Sequence, residues 1–504
     1  MNLGHFLSIL VFSPLVGIAI LAFIPKTQES VLKLFGFLGT VPALILSLVA
    51  FIQYRGGANL ADIAEKASWV QFGRFSDKFI YTVNYELGVD GFSLLMVVLT
   101  TIVASLAAIA SIHIKKEWKG YYMLFLLLEV GMLGVFTSQN LILFFIFFEI
   151  TLVPMFFLIG KWGYFDKEKA AYSFLIYNGL GSAILLIVIM ILFARTGTSN
   201  IEALKLLINA DDVKLVAPIS EAAKYGMLIA LVTAFGVKLP IFPLHTWMLK
   251  VHVEAPPSIV MIHSGLLLKI GAFGLIRIAL GIFPEQFQDI AIWLAVLGVI
   301  NLLYGAFLAF IQKDFKMVLA YSSISHMGIV LIGLGSLNQA GIQGAIFQVV
   351  SHGLISALLF FLVGVMYERV QTTQIANLGG LAKGMPILSG FILLAGMASL
   401  GLPGMSGFVS EFMAFMGLFK EMPVLAAVGA LGIIMTAVYL LRAILGITFG
   451  KAEREFAGIT DIRSIEMVPV LTLVALIIAI GVYPNFLTEV LANTIKTIML
   501  GIGG

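Results

Sequence analysis

Apolar stretches of about twenty residues, separated by short polar breaks, run along the chain from end to end. A helix needs about 20 apolar residues to cross the hydrocarbon core of a bilayer. Measured against that length, the pattern predicts fourteen spans. They lie near 3–24, 31–53, 88–112, 121–138, 140–160, 171–194, 225–247, 257–280, 288–310, 317–336, 342–366, 386–420, 424–449 and 467–484. A short amphipathic segment, 486–501, follows the last one. The first stretch lacks the basic start and small-residue cleavage pattern of a signal peptide, so it is expected to remain as a span. Two polar excursions, 54–87 and 195–224, are expected to be capping loops, which leaves residues 1–504 as a single transmembrane domain.

Two of these helices carry breaks. Segment 225–247 holds Lys238, Pro240 and Pro243. Proline removes a backbone donor and clashes one turn back, so this helix should open beside Lys238. Segment 386–420 is too long for one regular span, and Gly401-Leu402-Pro403-Gly404 followed by Gly407 interrupts it just before Glu411. Interrupted helices in corresponding positions, each with a charge near its break, point to an inverted-repeat transporter. The expectation is an all-α polytopic fold with two five-helix repeats, 121–280 and 288–449. The second is inverted because five is odd.

Composition agrees with that class. Of 504 residues, 60% are hydrophobic and 11% charged, against roughly 25% charged in soluble domains. A soluble enzyme, a secreted domain and a disordered chain are excluded. The chain has no cysteine, hence no disulfide, thiolate-held iron–sulfur cluster or thiol nucleophile. A net charge of +3 is too small and too scattered to point to nucleic acid. Lys115, Lys116, Lys119, Lys161, Lys167, Lys169, Lys313 and Lys316 concentrate in short loops after odd-numbered spans. Those loops should face the cytoplasm, with both termini on the opposite side.

The chemistry lies in charges placed inside the spans. Glu129, Glu149, Lys238, Lys269, His326 and His352 fall near the middle of their segments, and Glu411 just past a break. Ionisable groups at the bilayer centre are costly and point to function. At about 1.5 Å per residue, groups at similar depth on successive helices form a lateral row. Carboxylates, lysines and histidines that face one another suit proton handling. Tyr321, Ser322, Ser323 and Ser325 offer hydroxyls for bridging water near His326. No nucleophile–base pair or phosphate loop stands out, and no cofactor or metal ligand set is read on this chain. His263 is expected to pack, and Arg277 and Arg442 to snorkel or pair structurally.

The same residues carry a family resemblance. The stretches are Phe147-Phe148-Glu149-Ile150-Thr151-Leu152-Val153-Pro154, Val237-Lys238-Leu239-Pro240 through Trp247, His252-Val253-Glu254-Ala255-Pro256 and Leu267-Leu268-Lys269. Further on come Gln312-Lys313-Asp314-Phe315-Lys316, Ala320 through Gly328, Ser351-His352-Gly353 and Gly401-Leu402-Pro403-Gly404. Together, across about residues 85–450, they resemble the antiporter-like subunits of respiratory complex I, shared with Mrp-type sodium/proton antiporters and membrane-bound hydrogenases. Gly407-Phe408-Val409-Ser410-Glu411-Phe412 looks like subunit M, whereas subunits L and N and the Mrp paralogues usually carry lysine where Glu411 stands. Met248-Leu249-Lys250 and Pro257 to Ser264 depart from the commonest pattern.

The resemblance implies roles. Glu149 and Lys238 resemble an ion pair where protons are taken up, and Lys269 a central relay. His326 and His352 lead toward Glu411, where protons leave. It also implies that NADH, FMN, iron–sulfur clusters and quinone belong to partner subunits, that the L and N paralogues are neighbours, and that the complex sits in the cell's inner membrane. Two other readings stand beside it: an Mrp-type antiporter subunit, and a membrane scaffold without transport. A hydrogenase- or ferredoxin-linked complex is a close variant.

Overall fold

The computed structural model of the chain describes residues 4–76, 79–209, 217–451, 456 and 458–503. Among them, twelve helices are long and apolar enough to cross a membrane. They are α1 (Phe6–Phe23), α2 (Glu29–Arg55, divided after Leu38), α3 (Gly91–His113), α4 (Trp118–Thr137), α5 (Leu141–Trp162), α6 (Lys167–Thr196), α8 (Pro257–Leu280), α9 (Pro284–Ile311), α10 (Phe315–Gly335), α11 (Gln339–Val370), α13 (Pro423–Phe449) and α14 (Ser464–Val482). The other two expected spans are interrupted. In α7, Glu221–Lys238 is followed by Thr246–Glu254, and in α12, Pro386–Ser399 is followed by Ser406–Glu421. A last helix, α15 (Asn485–Gly501), covers the amphipathic segment.

The first excursion holds structure where only a loop was expected. Strands β1 (Glu65–Ser76) and β2 (Phe79–Leu87) form an antiparallel hairpin starting from the pair Glu65↔Leu87. Trp69, Val70, Tyr81, Val83 and Tyr85 supply the aromatic and β-branched content that strands favour. Buried Glu86 accepts from Lys66 at 2.9 Å and from Asn200 Nδ2 at 2.8 Å, tying the hairpin to the loop after α6. The second excursion contains a short helix, Ile201–Asn209, and its residues 210–216 lie outside the described residues.

The centre of the bundle is α8 and α11, whose most apolar windows are entirely buried. Close packing around them depends on small residues, as in membrane bundles generally. Where α9 crosses α10, a Cβ on Gly305 would stand 2.6 Å from the Ser325 nitrogen and 2.8 Å from the Tyr321 carbonyl. Backbone cannot yield as a flexible side chain would, so Gly305→Ala should cost about 1–3 kcal/mol through overpacking. A lowered unfolding midpoint in detergent is expected; an unchanged midpoint would contradict the contact.

At the start of α3, Asp90 caps the helix by accepting from the Ser93 amide at 2.8 Å. Arg277 lies 3.1 Å from its carboxylate and also donates to Gln139 Oε1 at 2.6 Å, which is the structural pairing expected of that arginine. Burial pushes the Asp90 carboxyl up. The Arg277 charge and the Ser93 hydrogen bonds outweigh burial and hold it below the usual aspartate range. The unfolded value is about 3.9 and the folded one lower. The stabilisation is therefore complete above about pH 4 and is lost as pH falls through the folded value. Unfolding midpoints taken from pH 6 downward should fall more steeply below about pH 4 for the native chain than for Asp90→Asn.

Candidate functional site: a chain of buried ionisable groups

Each break places a charge. In α7 the helix ends at Lys238, and Leu239 to His245 turn away from helical geometry around Pro240 and Pro243. Backbone groups freed inside a membrane protein need internal partners. Asn301 on α9 supplies them: its Oδ1 accepts from the Phe242 amide at 2.6 Å and its Nδ2 donates to the Pro240 carbonyl at 3.3 Å. Trp247 Nε1 donates to the Val237 carbonyl at 3.1 Å. In α12, Gly401 and Gly404 adopt φ of 79° and 92°, conformations open to glycine at little cost.

Four of the expected residues meet in one continuous series. Lys269 lies on α8 between two π-helical turns, His263–Leu267 and Leu275–Leu280; such turns often mark functional positions. Its ammonium donates to the Ser264 carbonyl at 2.5 Å and lies 2.7 Å from His352 Nδ1 on α11. The His352 ring is 5.4 Å from the His326 ring on α10. His326 Nδ1 is 3.4 Å from Glu411 Oε1, on the second half of α12, and its Nε2 is 3.2 Å from Ser399 Oγ on the first half. The Glu411 carboxylate closes on the break, since a Cβ on Gly401 would lie 2.6 Å from its Oε2.

Two small cavities adjoin this series, each of about 10 Å³, close to the room one water needs. One is lined by Ser322, Ser323, His352, Ser356 and Ser399 among others, the second by His326, Gln348, Ser351 and Glu411 among others. Ser322 and Ser323 thus line a cavity at His352, although the Ser322 hydroxyl accepts from Tyr439 at 2.8 Å and that of Ser323 donates to the Leu319 carbonyl at 3.1 Å. Ser325 is turned away and donates to the Leu302 carbonyl at 2.9 Å.

The remaining expected residues are less connected. Lys238 is buried with its ammonium 4.8 Å above the Phe148 ring and 5.7 Å from Phe174. Glu149, beside Phe148 in the chain, acts on it electrostatically, but no ion pair within 4.0 Å joins them. The direct pair implied by the resemblance is therefore not formed, and the ammonium lies over aromatic faces instead. Glu149 Oε1 is buried without a hydrogen-bond partner. Glu129 on α4 is fully buried, neither oxygen has a partner, and nothing links it by hydrogen bond or ion pair to the other six.

Sequence reasoning missed two contributors. Gln348 reaches His326 Nδ1 at 3.4 Å while its Oε1 accepts from Ser410 Oγ at 2.5 Å. Its signal was only its position one turn before His352. His263, expected to pack, pairs with His252: His252 Nε2 stands 3.0 Å from His263 Nδ1, and both rings are fully buried. His263 is within electrostatic reach of both Lys238 and Lys269.

Together the interrupted helices and the buried ionisable series define an antiporter-like polytopic membrane protein. The family model described as NADH:quinone oxidoreductase/Mrp antiporter, TM, matches residues 138–436. The chain belongs to that family. It is 36% identical over 501 residues to NADH-quinone oxidoreductase subunit M of Rickettsia conorii, covering 98% of each chain. It is 36% identical over 510 residues to NAD(P)H-quinone oxidoreductase chain 4 of Gloeobacter violaceus, covering 98% of this chain and 92% of the relative. Among solved structures, it matches a chain of respiratory complex I from Thermus thermophilus with bound NADH at a TM-score of 0.85 and 29% identity, covering 99% of this chain and 100% of that one. A chain of the Mrp complex from Dietzia sp. DQ12-45-1b matches at 0.83 and 20% identity, covering 99% of both, which shows the shared fold.

The contact of Gly401 with Glu411 can be tested directly. Gly401→Ala adds a Cβ against the carboxylate and a side chain at positive φ, so it should displace Glu411. The carboxyl stretching band assigned through Glu411→Gln should shift in infrared difference spectra. An unmoved band would mean that the break does not position the carboxylate.

Proposed function

We propose that this chain is a proton-translocating membrane-arm subunit, of the M type, in a bacterial NADH–quinone oxidoreductase. The observation that carries this is the adjoining buried series Lys269, His352, His326 and Glu411, whose two rings stand 5.4 Å apart. In this reading Glu149 and Lys238 take up the proton, and Lys238 releases it when Glu149 no longer favours its charged form. The His252–His263 pair carries it to Lys269. Lys269 passes a proton to His352 Nδ1. A water between the two rings bridges to His326, and Glu411 receives the proton and releases it on the far side.

Glu129 holds a side position in this scheme. The seven groups act as a lateral row across two five-helix repeats, 121–280 and 288–449, the second inverted. Redox chemistry takes place on other subunits, which hold NADH, FMN, iron–sulfur clusters and quinone, and it drives the row through them. The L- and N-type paralogues are the expected neighbours in the inner membrane. Both termini face away from the cytoplasm, as the distribution of Lys and Arg in the loops indicates.

The test is proton pumping during NADH oxidation in membrane vesicles. Lys238→Met and Glu411→Gln should each reduce pumping at least tenfold while the complex stays assembled. Full pumping by Lys238→Met would refute the assignment. Unchanged pumping after neutralising Glu149 and Glu411 together would favour the scaffold, and sodium-dependent transport without any electron donor would favour the antiporter.

A further inference from the structure

One end of the bundle holds a buried ammonium that the pathway above does not use. Lys316, a loop lysine by the hydrophobic pattern, lies in the first turn of α10 and is 5% exposed. A cation there opposes the dipole of its own helix, so α10 itself gives no reason for it. Its Nζ instead donates to the Val253 carbonyl at 3.3 Å, in the last turn of the second half of α7. The rings of Tyr164 and Tyr367 lie 4.1 and 4.8 Å from it, their centroids 5.0 Å apart. Among the described residues, no carboxylate stands within 4.0 Å of the ammonium, and Asp314 and Glu254 act on it from farther off. Asp314 accepts from the Met317 amide at 3.2 Å and Glu254 from the Asp166 amide at 2.9 Å.

Lys316 stands between solvent and the buried histidines. On one side is a cavity of about 240 Å³, lined by Val253, Glu254 and Met317 and by the exposed Asp166, Lys169 and Lys250; it has room for several waters. On the other side, Val253 directly follows His252 in the chain. In the His252–His263 pair the inner nitrogens stand 3.0 Å apart, while the outer ones, His252 Nδ1 and His263 Nε2, are buried without a partner. Two imidazoles free at both ends accept a proton at one end and give one up at the other. Tyr367 is held in place by its neighbours. Glu368 and Arg369 join His113 and Glu466 in a salt-bridge network between the ends of α3, α11 and α14.

We propose that Lys316 is the group through which protons from the cytoplasm enter this chain, and that it passes them to His252 Nδ1. The inference rests on the proton-translocating reading above, with the lysine-rich end of the bundle facing the cytoplasm. Cation–π contact favours the ammonium over the neutral amine, so the two tyrosines help draw a proton onto Lys316 from water in the cavity. The ammonium then gives one proton, through a water, to His252 Nδ1. His252 gives its Nε2 proton to His263 Nδ1, and His263 Nε2 releases one toward Lys238, which is within its electrostatic reach. One proton enters and one leaves, no electron moves, and each ring ends as its other tautomer.

The test is proton pumping by the assembled complex in membrane vesicles during NADH oxidation, with Lys316→Arg and Lys316→Gln. Both keep a donor for the Val253 carbonyl, and the arginine keeps the charge, but neither releases a proton at neutral pH. Each should lower pumping at least about tenfold, with the unfolding midpoint of the purified chain in detergent unchanged. Full pumping by either variant would make Lys316 a cap on the end of α7 and overturn the inference. A loss that tracks a lowered midpoint would overturn it too. One variant is charged and the other neutral, so if one fails to assemble the other still decides. Lys238→Met separates the two readings. Blocked pumping there with full pumping in Lys316→Arg removes only the entry through Lys316, whereas full pumping by Lys238→Met removes both.

Discussion

An ammonium group placed inside a bundle of apolar helices must be solvated by the protein itself, and Lys269 sets that requirement at the centre of this one. It stands on α8, which packs on α11, and the deepest windows of both helices are closed to solvent. Burying a charge without partners is prohibitively costly. The Ser264 carbonyl and His352 Nδ1 supply the partners. Both depend on local features. The π turn at His263–Leu267 brings the Ser264 carbonyl round to the ammonium. The helices also approach closely enough that a Cβ on Gly265 would stand 3.2 Å from the Gly353 carbonyl.

The two interrupted helices extend the same logic. A continuous helix satisfies its own backbone and has nothing left to offer a buried charge. A broken one exposes helix ends and free backbone groups, which then need partners from neighbouring helices. Asn301 meets this need at the α7 break, and positive-φ glycines let the chain turn at the α12 break. Lys238 and Glu411 stand beside those breaks. The two ends differ in environment: Lys238 faces aromatic rings, while Glu411 faces His326 and a water-sized cavity. From Lys269 to Glu411 the groups adjoin one another, whereas between Lys238 and Lys269 the His252–His263 pair stands within electrostatic reach of both lysines.

Much of this was legible in the amino-acid order. A span must be apolar for about twenty residues whatever it packs against, so the helices, the two breaks and the buried charges follow from the hydrophobic pattern alone. Family membership followed from local motifs such as those around Lys238 and His326. The hairpin Glu65–Leu87 was missed because a strand pair outside the membrane leaves a much weaker periodic signal than a span.

Partnership among the charges was decided only in three dimensions. Which face of a helix a residue occupies depends on packing angles and on π turns that shift the register, and neither is written in the spacing. Hence Gln348 and the His252–His263 pair became visible only once α7, α8, α10 and α11 were assembled. For the same reason, Glu149 and Lys238, paired in expectation, form no ion pair within 4.0 Å, and the ammonium lies over the ring of Phe148. His113, Glu368 and Glu466 illustrate the extreme case. Contacts between residues hundreds of positions apart are set by how helix ends converge, and the sequence determined only that each of those helices would exist.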